Sequence, residues 1–162
     1  MNTLTTCIYR KDYAALQSAL AREDINAFDK HGRTPLMHAV LADDADTEMV
    51  GFLLSQGAKP DTHEKTGQSW TALHFAASDQ KAAIVRVLLD GGSEVDSLNV
   101  FGNTPLWQTV AVSRRSPEVV KMLLEAGADP RKRNGEGVSP LDIVKARKVN
   151  DLVKMMQKFR SH

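Results

Sequence analysis

The sequence predicts an all-α solenoid made of repeated helix-turn-helix units. Three observations lead to this fold class: turn glycines recur at a fixed interval, a Thr-Pro or similar helix start follows each of them, and a second apolar helix then ends at another glycine. One pair of short helices cannot bury its own apolar face. The units must therefore stack on one another, and the stack must carry a continuous core.

The repeat length follows from the turn glycines, which are 35 residues apart at Gly32, Gly67, Gly102 and Gly137. The predicted helix starts at Thr34, Thr71, Thr104 and Ser139 are spaced less evenly, by 37, 33 and 35 residues. Two-residue insertions explain the difference, because loops accept added residues at low cost. They are expected between the helices of the first and third full units, near 43–46 and 114–117, and before Thr71, within 68–70.

Each unit begins and ends with residues suited to a helix end. Thr34 and Thr104 are good N-caps, and each is followed by a proline that fits the first helical position. Gly57, Gly92 and Gly127 lie where a left-handed residue closes a helix. The second helices carry apolar pairs four residues apart, which form one stripe: Met49/Val50/Leu53/Leu54, Ile84/Val85/Leu88/Leu89 and Val119/Val120/Leu123/Leu124.

We predict a single domain over 1–162, divided into five units. A capping unit at 1–28 precedes repeats at 29–63, 64–98 and 99–133, and a second capping unit occupies 134–162. In the first cap Tyr13, Leu16 and Leu20 are expected to pack inward. In the last cap Lys145 and Arg147 replace small or neutral residues, as suits a face that no further repeat covers.

Composition excludes several classes of protein. The chain has 162 residues, 42% of them hydrophobic, a net charge of +1 and one cysteine. Neither a bulk attraction to nucleic acid or membranes nor an intramolecular disulfide is expected. No apolar segment reaches the length of a signal peptide or a membrane span, so we expect a cytoplasmic protein that is monomeric when free. Charge is uneven, since 1–80 hold 7 Lys and Arg against 11 Asp and Glu, and 81–162 hold 14 against 9.

Several segments resemble the ankyrin repeat: Thr34-Pro35-Leu36, Thr71-Ala72-Leu73-His74-Phe75-Ala76-Ala77 and Gly127-Ala128-Asp129. The resemblance implies paired antiparallel helices joined by β-hairpin-like linkers. His74 occupies the signature histidine position, which has a structural role in that family. Met37, Trp107 and Asp142 stand at the same position in the other units. We expect the polar link of that histidine to be lost there, and His38 is one residue too late to replace it.

No catalytic, metal or cofactor site is predicted. The five histidines lack ligand spacing, and no Gly-x-Ser-x-Gly motif presents a nucleophile. Gly135 and Gly137 are turn residues rather than a phosphate loop, because no Gly-Lys-Ser/Thr follows them. The acidic cluster at 43–48 lacks the ligand pattern of a calcium loop. We interpret it as a solvated loop beside a helix N-terminus.

The resemblance implies that a protein partner binds the concave face, formed by the linker tips and the exposed side of each first helix. By register, the candidate partner-binding residues are Lys30, His31, Arg33, Lys65, Thr66, Gln68, Trp70, Asp79, Val100, Phe101, Asn103 and Val112. Trp70, Val100 and Phe101 are apolar where polar residues would favour solubility. Two arrangements are open: exposed anchors ringed by charge, as in an interface hot spot, or side chains folded back onto neighbouring linkers.

The predicted function is non-enzymatic protein–protein binding. Small bacterial ankyrin proteins resemble immunity proteins or inhibitors that neutralise a cognate toxin, so stoichiometric inhibition is the first hypothesis. A regulatory adaptor or a host-directed effector is the alternative. An enzyme or small-ligand binder is a further alternative from a different class, which no convergent set of titratable residues supports.

Overall fold

The computed structural model describes residues 3–112 and 116–159, and this part of the chain contains ten α-helices and no strands. One helix pair falls in each of the five predicted units. The pairs are α1 (Thr3–Arg10) and α2 (Tyr13–Leu20), α3 (Pro35–Leu41) and α4 (Thr47–Ser55), α5 (Ala72–Ser78) and α6 (Ala82–Asp90), α7 (Pro105–Ala111) and α8 (Pro117–Glu125), α9 (Pro140–Ala146) and α10 (Asn150–Lys158).

The helices stack in two layers. The first helices α1, α3, α5, α7 and α9 each contact the next one, and α4, α6, α8 and α10 form a second row behind them. Each unit therefore touches only its neighbours, which is the definition of a solenoid. The predicted all-α repeat architecture is confirmed.

The core runs without interruption through both layers. The leucine two residues after each helix start is fully or almost fully buried, as seen for Leu36, Leu73, Leu106 and Leu141. In the second layer Val50, Val85 and Val120 have no exposed surface. In the first cap Leu16 is buried, whereas Tyr13 and Leu20 are only partly covered. Burial of these aliphatic side chains is the main force that holds the units together.

The first helices begin as predicted. The hydroxyl of Thr104 accepts a hydrogen bond from the backbone N–H of Trp107 at 3.1 Å, and Thr34, Thr71 and Ser139 act in the same way. Proline follows three of these four caps. Each cap satisfies a donor that would otherwise be left unpaired at the helix end.

The loops between paired helices confirm where the insertions lie. Five residues separate α3 from α4 and α7 from α8, but only three separate α5 from α6. The predicted insertion at 114–117 falls partly on residues 113–115, including Arg114, which lie outside the described residues. Each longer loop supplies its own cap for the second helix, Asp46 for α4 and Ser116 for α8. The short loop instead places Gln80 in the left-handed region, with φ of 57°.

The linkers between units are tight turns held by one side chain each. Asp29, Asn99 and Asn134 accept hydrogen bonds from the backbone two and four residues later, which fixes the turn. In the second repeat, with two inserted residues, the position holds Glu64. Its longer side chain reaches the N–H groups four and six residues later, at 3.1 and 3.5 Å.

A second ladder of side chains joins each linker to the next. Asn26, Asp61 and Asp96 each accept a hydrogen bond from a backbone N–H 33 residues later, at 2.7 to 3.0 Å. The next residue in this register is Arg131, which donates instead to the carbonyl of Phe159. The ladder thus ends on the C-terminal cap, where no further linker follows within the described residues.

Candidate functional site

The linker before the third repeat exposes a group of apolar side chains. Leu98, Val100 and Phe101 are 45%, 62% and 53% exposed, and Tyr9 is the only other large apolar residue exposed in the described part of the chain. Their backbone is nevertheless fixed. Val100 N–H donates to the Gln68 carbonyl at 3.0 Å, and the Phe101 carbonyl accepts from Gly135 N–H at 2.8 Å. The apolar tip, as we call Leu98, Val100 and Phe101, is therefore held by the linkers on both sides.

Trp70 adopts the other of the two arrangements that the sequence left open. Its ring centroid lies 5.0 Å from that of Phe75 and 6.2 Å from that of His74. Its Nε1 donates to the Gln68 side chain at 3.1 Å. Trp70 is half-buried and packs against the core beside α5, so its side chain is folded back rather than presented as an exposed anchor.

The basic residues of the first two linker tips differ in whether their side chains contact other residues. Lys30 and His31 are exposed. The Nε of Arg33 lies 3.7 Å from Glu64 Oε2, and its guanidinium lies 5.5 Å from the Phe75 ring centre. Lys65 Nζ lies 4.1 Å from the ring centre of Phe28. Arg33 and Lys65 therefore stiffen the linkers, and both retain a charge near the surface.

The remaining candidates divide into exposed and internal residues. Gln68 and Asp79 are exposed and Val112 is half-buried at the end of α7, while the Thr66 hydroxyl donates to the His31 carbonyl. Asn103 is buried, with its Oδ1 accepting from Asn134 at 2.7 Å. The expectation that Asn103 contacts a partner is therefore corrected. The hydrogen bond with Asn134 of the next linker holds its side chain away from the surface.

His74 seals the junction between the second and third repeats. Its Nε2 lies 3.0 Å from the carbonyl of Asn103, and its Nδ1 faces both the N–H and the hydroxyl of Thr71. A carbonyl can only accept, so Nε2 carries the proton and Nδ1 acts as an acceptor. Burial lowers the pKa of His74 to about 4. The ring is therefore neutral, and its role is structural, as the resemblance implied.

The junction between the third repeat and the C-terminal cap lacks this seal. Trp107 stands where His74 stands in the second repeat, and its buried Nε1 has no hydrogen-bond partner among the described residues. A groove of about 430 Å³ opens between α7 and α9. We call it the α7–α9 groove, and its lining residues are Trp107, Ala111, Val138, Asp142, Ile143, Ala146 and Arg147.

Charged side chains lie at the edge of the α7–α9 groove. Arg147 Nη1 donates to the carbonyls of Val110 and Ala111 at 3.0 and 2.8 Å, which fixes the guanidinium at the end of α7. Asp142 receives hydrogen bonds from the hydroxyl and N–H of Ser139, and these lower the pKa of its carboxyl. Arg133 lies 3.6 Å from the same carboxylate. The carboxylate of Asp142 is thus already paired.

His38 makes contacts that the sequence did not predict. Its Nε2 lies 2.9 Å from Asp29 Oδ2, and its Nδ1 lies 3.2 Å from the hydroxyl of Tyr9. The contact with Asp29 lies within the first repeat and the contact with Tyr9 runs toward the N-terminal cap, whereas the contact of His74 runs toward the next repeat. His38 therefore does not replace the signature histidine. It joins the first repeat to the unit before it.

The described residues form neither a metal site nor a membrane-spanning helix. Over 3–112 and 116–159, no group of three or more His, Cys, Asp or Glu side chains is placed to hold a metal ion. In the same ranges, every helix is too short or too polar to cross a lipid bilayer.

Comparison with known proteins agrees with the stacked helix pairs. The family model described as ankyrin repeats, in three copies, matches residues 41–134. The chain belongs to the ankyrin repeat family. The comparison with curated proteins found no match. Ankyrin repeats indicate a protein–protein interaction module, and members of the family generally act as non-enzymatic scaffolds.

Proposed function

We propose that this protein binds a protein partner through its concave face and acts by covering a functional surface of that partner. In its most specific form the proposal is a stoichiometric inhibitor, such as an immunity protein that neutralises a cognate toxin. The binding surface would consist of the linker tips and the exposed side of the first helices. Binding alone would block the partner, so this role requires no catalytic residue.

The apolar tip is the observation that carries the proposal. Three large apolar side chains are exposed together on one linker, although the rest of the described core is well covered. Clustered exposed apolar side chains mark interaction sites more often than single ones do. Because the neighbouring linkers hold its backbone, the tip would lose little conformational freedom on binding, which favours affinity.

Polar residues of the neighbouring tips would form the rim of the interface. Lys30, His31, Lys65 and Gln68 are exposed on the linkers that precede the apolar tip. Asp79 and Val112 would extend the contact along the ends of α5 and α7. An apolar centre within a polar rim is the usual organisation of protein interfaces.

Cellular compartment, oligomeric state and class of partner belong to the same proposal. We propose a monomer in the cytoplasm whose partner is a protein rather than a nucleic acid or a membrane. The buried, unpaired thiol of Cys7 is compatible with a reducing compartment. The near-neutral net charge of +1 offers no broad attraction to a phosphate backbone.

The test begins with the full-length protein as bait in its native cells, followed by identification of co-purified proteins by mass spectrometry. A purified partner is then titrated with wild-type protein, with Phe101→Ser and with Arg86→Ser, a control on the exposed side of α6. We expect the activity of the partner to fall to zero near a 1:1 ratio with wild-type and control, and Phe101→Ser to bind at least tenfold more weakly.

Two results would count against this function. Equal binding by wild-type and Phe101→Ser would remove the apolar tip from the interface. Full activity of the partner in a saturated complex would exclude inhibition and favour an adaptor. A toxin gene beside the gene for this protein would support the immunity role.

A further inference from the structure

We infer that the α7–α9 groove is a second anchor point for the partner, and that it receives a large apolar side chain from a segment rich in Asp and Glu. This inference rests on the proposed function, because it names the chemistry of the segment that the concave face would bind. It concerns residues that differ from the apolar tip. The two can therefore be tested separately.

Two side chains that line the groove differ from the histidine in the same register at the preceding junction. His74 spans that junction and donates to the Asn103 carbonyl. Trp107 makes no corresponding bond, and Asp142 turns back to cap its own helix at Ser139. The Trp107 indole therefore makes no hydrogen bond to α9 among the described residues, and the polar link to α7 comes from Arg147 at the helix end. The exposed wall is formed by the Trp107 ring and by Ile143, Ala146 and Val138.

The size and polarity of the groove fit an apolar side chain. Its volume is about 430 Å³ and most of its lining is apolar. An apolar cavity of about 150 Å³ is enough to bind benzene in a protein interior. One aromatic or two aliphatic side chains would thus fit, and they would displace water from the Trp107 ring. Displacement of water from apolar surface is favourable.

The charges around the groove select an acidic segment. Arg147 follows α9, and the carbonyls of α7 hold its guanidinium at one end of the groove. Lys145 is exposed on α9, and Arg133 lies beside the groove, 3.6 Å from Asp142. The one carboxylate in the lining, Asp142, already accepts from Ser139 and pairs with Arg133. Residues 81–162 also hold 14 basic against 9 acidic side chains. Opposite charge on the partner would speed and orient association.

A second copy of this chain is the main competing occupant. The loop between α3 and α4 carries Asp43, Asp44 and Asp46, and these charges lie in the acidic half of the sequence. Insertion of that loop into the groove of another copy would be a head-to-tail contact, which builds rings or open chains of several copies. Such a contact would give mass that rises with concentration. The test includes this outcome.

The experiment selects random twelve-residue peptides displayed on phage against the full-length protein, and the enriched peptides are then measured by calorimetry. Ala146→Trp fills the groove, and Lys145→Glu reverses one exposed charge beside it. Ala14→Trp is the matched control, because Ala14 is exposed on α2 in the opposite cap. Circular dichroism checks that all three variants fold.

We expect the enriched peptides to combine a large apolar residue with flanking Asp or Glu. Their affinity should fall at least tenfold with Ala146→Trp, at least threefold with Lys145→Glu and not at all with Ala14→Trp. Failure to enrich peptides, basic flanking residues, or equal affinity for Ala146→Trp and wild-type would each overturn the inference. Self-association that Ala146→Trp abolishes would also overturn it, in favour of the second copy.

The protein partner separates this inference from the proposed function. If Phe101→Ser weakens its binding and Ala146→Trp does not, the groove inference is wrong and the proposed function stands. If neither variant weakens binding, both are wrong. If both variants weaken binding, the two anchors belong to one interface.

Discussion

Two junctions of the same solenoid have opposite character, although they are one repeat apart. Between the second and third repeats, the neutral ring of His74 connects the start of α5 to the Asn103 carbonyl, and the junction is closed. Between the third repeat and the C-terminal cap, Trp107 stands in the same register, and its indole Nε1 has no hydrogen-bond partner among the described residues. There the helices α7 and α9 leave a groove of about 430 Å³.

The difference shows that stacking and closure are separate properties of a repeat protein. Leucines at equivalent positions bury their side chains at both junctions, so both stack. In this register His74 of the second repeat reaches the next linker, whereas Met37 of the first repeat is buried without such a bond and Trp107 of the third repeat lines a groove. Apolar surface is thus left open beside Trp107 without a change of fold.

The largest expected effect concerns stacking at the two junctions. Leu73→Ala should lower the free energy of unfolding by about 2–5 kcal/mol, because it removes buried methyl groups and leaves a cavity. Leu141→Ala, at the same position in the last described unit, should cost less, since within residues 3–112 and 116–159 a single neighbouring unit packs against α9. Urea denaturation measures both. An equal loss in the two variants would mean that the open junction is packed as tightly as the closed one.

The next effect is acid sensitivity of the closed junction. The pKa of His74 is about 4 in the fold, below its ordinary value of 6.5, so the neutral ring is the stabilised form. Its contribution should be complete above pH 6.5 and should be lost as the pH falls toward 4. A shift of this size corresponds to about 3 kcal/mol. Denaturation midpoints between pH 7 and 4 measure the loss.

The control for acid sensitivity is a comparison of two glutamine variants. His74→Gln should remove this part of the pH dependence, whereas His31→Gln should leave it in place because His31 is exposed on a linker tip. The same acid profile in wild-type and His74→Gln would show that other groups cause the loss.

A smaller effect on stability is expected when the histidine of the closed junction is introduced at position 107. Trp107→His should allow a hydrogen bond toward the Val138 carbonyl, which occupies the position of the Asn103 carbonyl in the linker pattern. The new bond, worth about 1 kcal/mol, would offset part of the lost apolar contact of the indole. Stability at pH 7 should therefore change little, but a second acid-sensitive transition should appear. Unchanged pH dependence would mean that the position of the ring alone does not close the junction.

The smallest effect concerns the hydrogen bond between Asp96 and Asp129, which joins two linkers across the closed junction. Desolvation raises the pKa of Asp96 in the folded protein, so folding disfavours the ionised carboxylate. The resulting loss of stability grows as the pH rises through the pKa that Asp96 has in the folded state. Asp96→Asn keeps an acceptor for the Asp129 N–H and should stabilise the protein at pH 7 by less than about 1 kcal/mol, since solvent screens the site. Thermal unfolding at pH 7 and pH 3 measures the gain, which should vanish at the lower pH.

Asn26 already shows that an amide fits this register, as its side chain accepts from Lys59 N–H at 2.8 Å. The control is Asp61→Asn, which occupies the same place in the preceding linker and is exposed. A lower melting temperature for Asp96→Asn at pH 7 would show that the carboxylate charge is favourable there.

Much of the fold could be predicted because its determinants are local. Thr104 and Pro105 predict a helix start, because threonine caps the free N–H groups and proline fits the first helical position. Gly127 predicts a helix end, because glycine readily adopts the left-handed conformation found there. The insertions were placed correctly by counting between such points. Glu64 is a turn residue that the sequence analysis does not predict, although Asp29, Glu64, Asn99 and Asn134 follow one another at intervals of 35 residues. That periodicity was the available signal.

The candidate site was less predictable because exposure depends on neighbours far away in the sequence. Trp70, Phe101 and Asn103 were assigned to the same surface by register, yet one packs on Phe75, one is exposed and one is buried. Leu98 was overlooked, since its position in the linker gave no sign that it would be exposed. The sequence shows that Trp107 replaces the histidine of the repeat, but it does not predict the groove beside Trp107.

The sequence by itself determined the repeat, the helix ends, the family and the identity of the departures, because each depends on residues a few positions apart or on a constant period. Only the tertiary structure decided which departures matter. Trp107 and Trp70 are both tryptophans near a helix start, but one lies beside a groove and the other is covered by its neighbours. Space between helices is a property of two packed units, and no single unit encodes it.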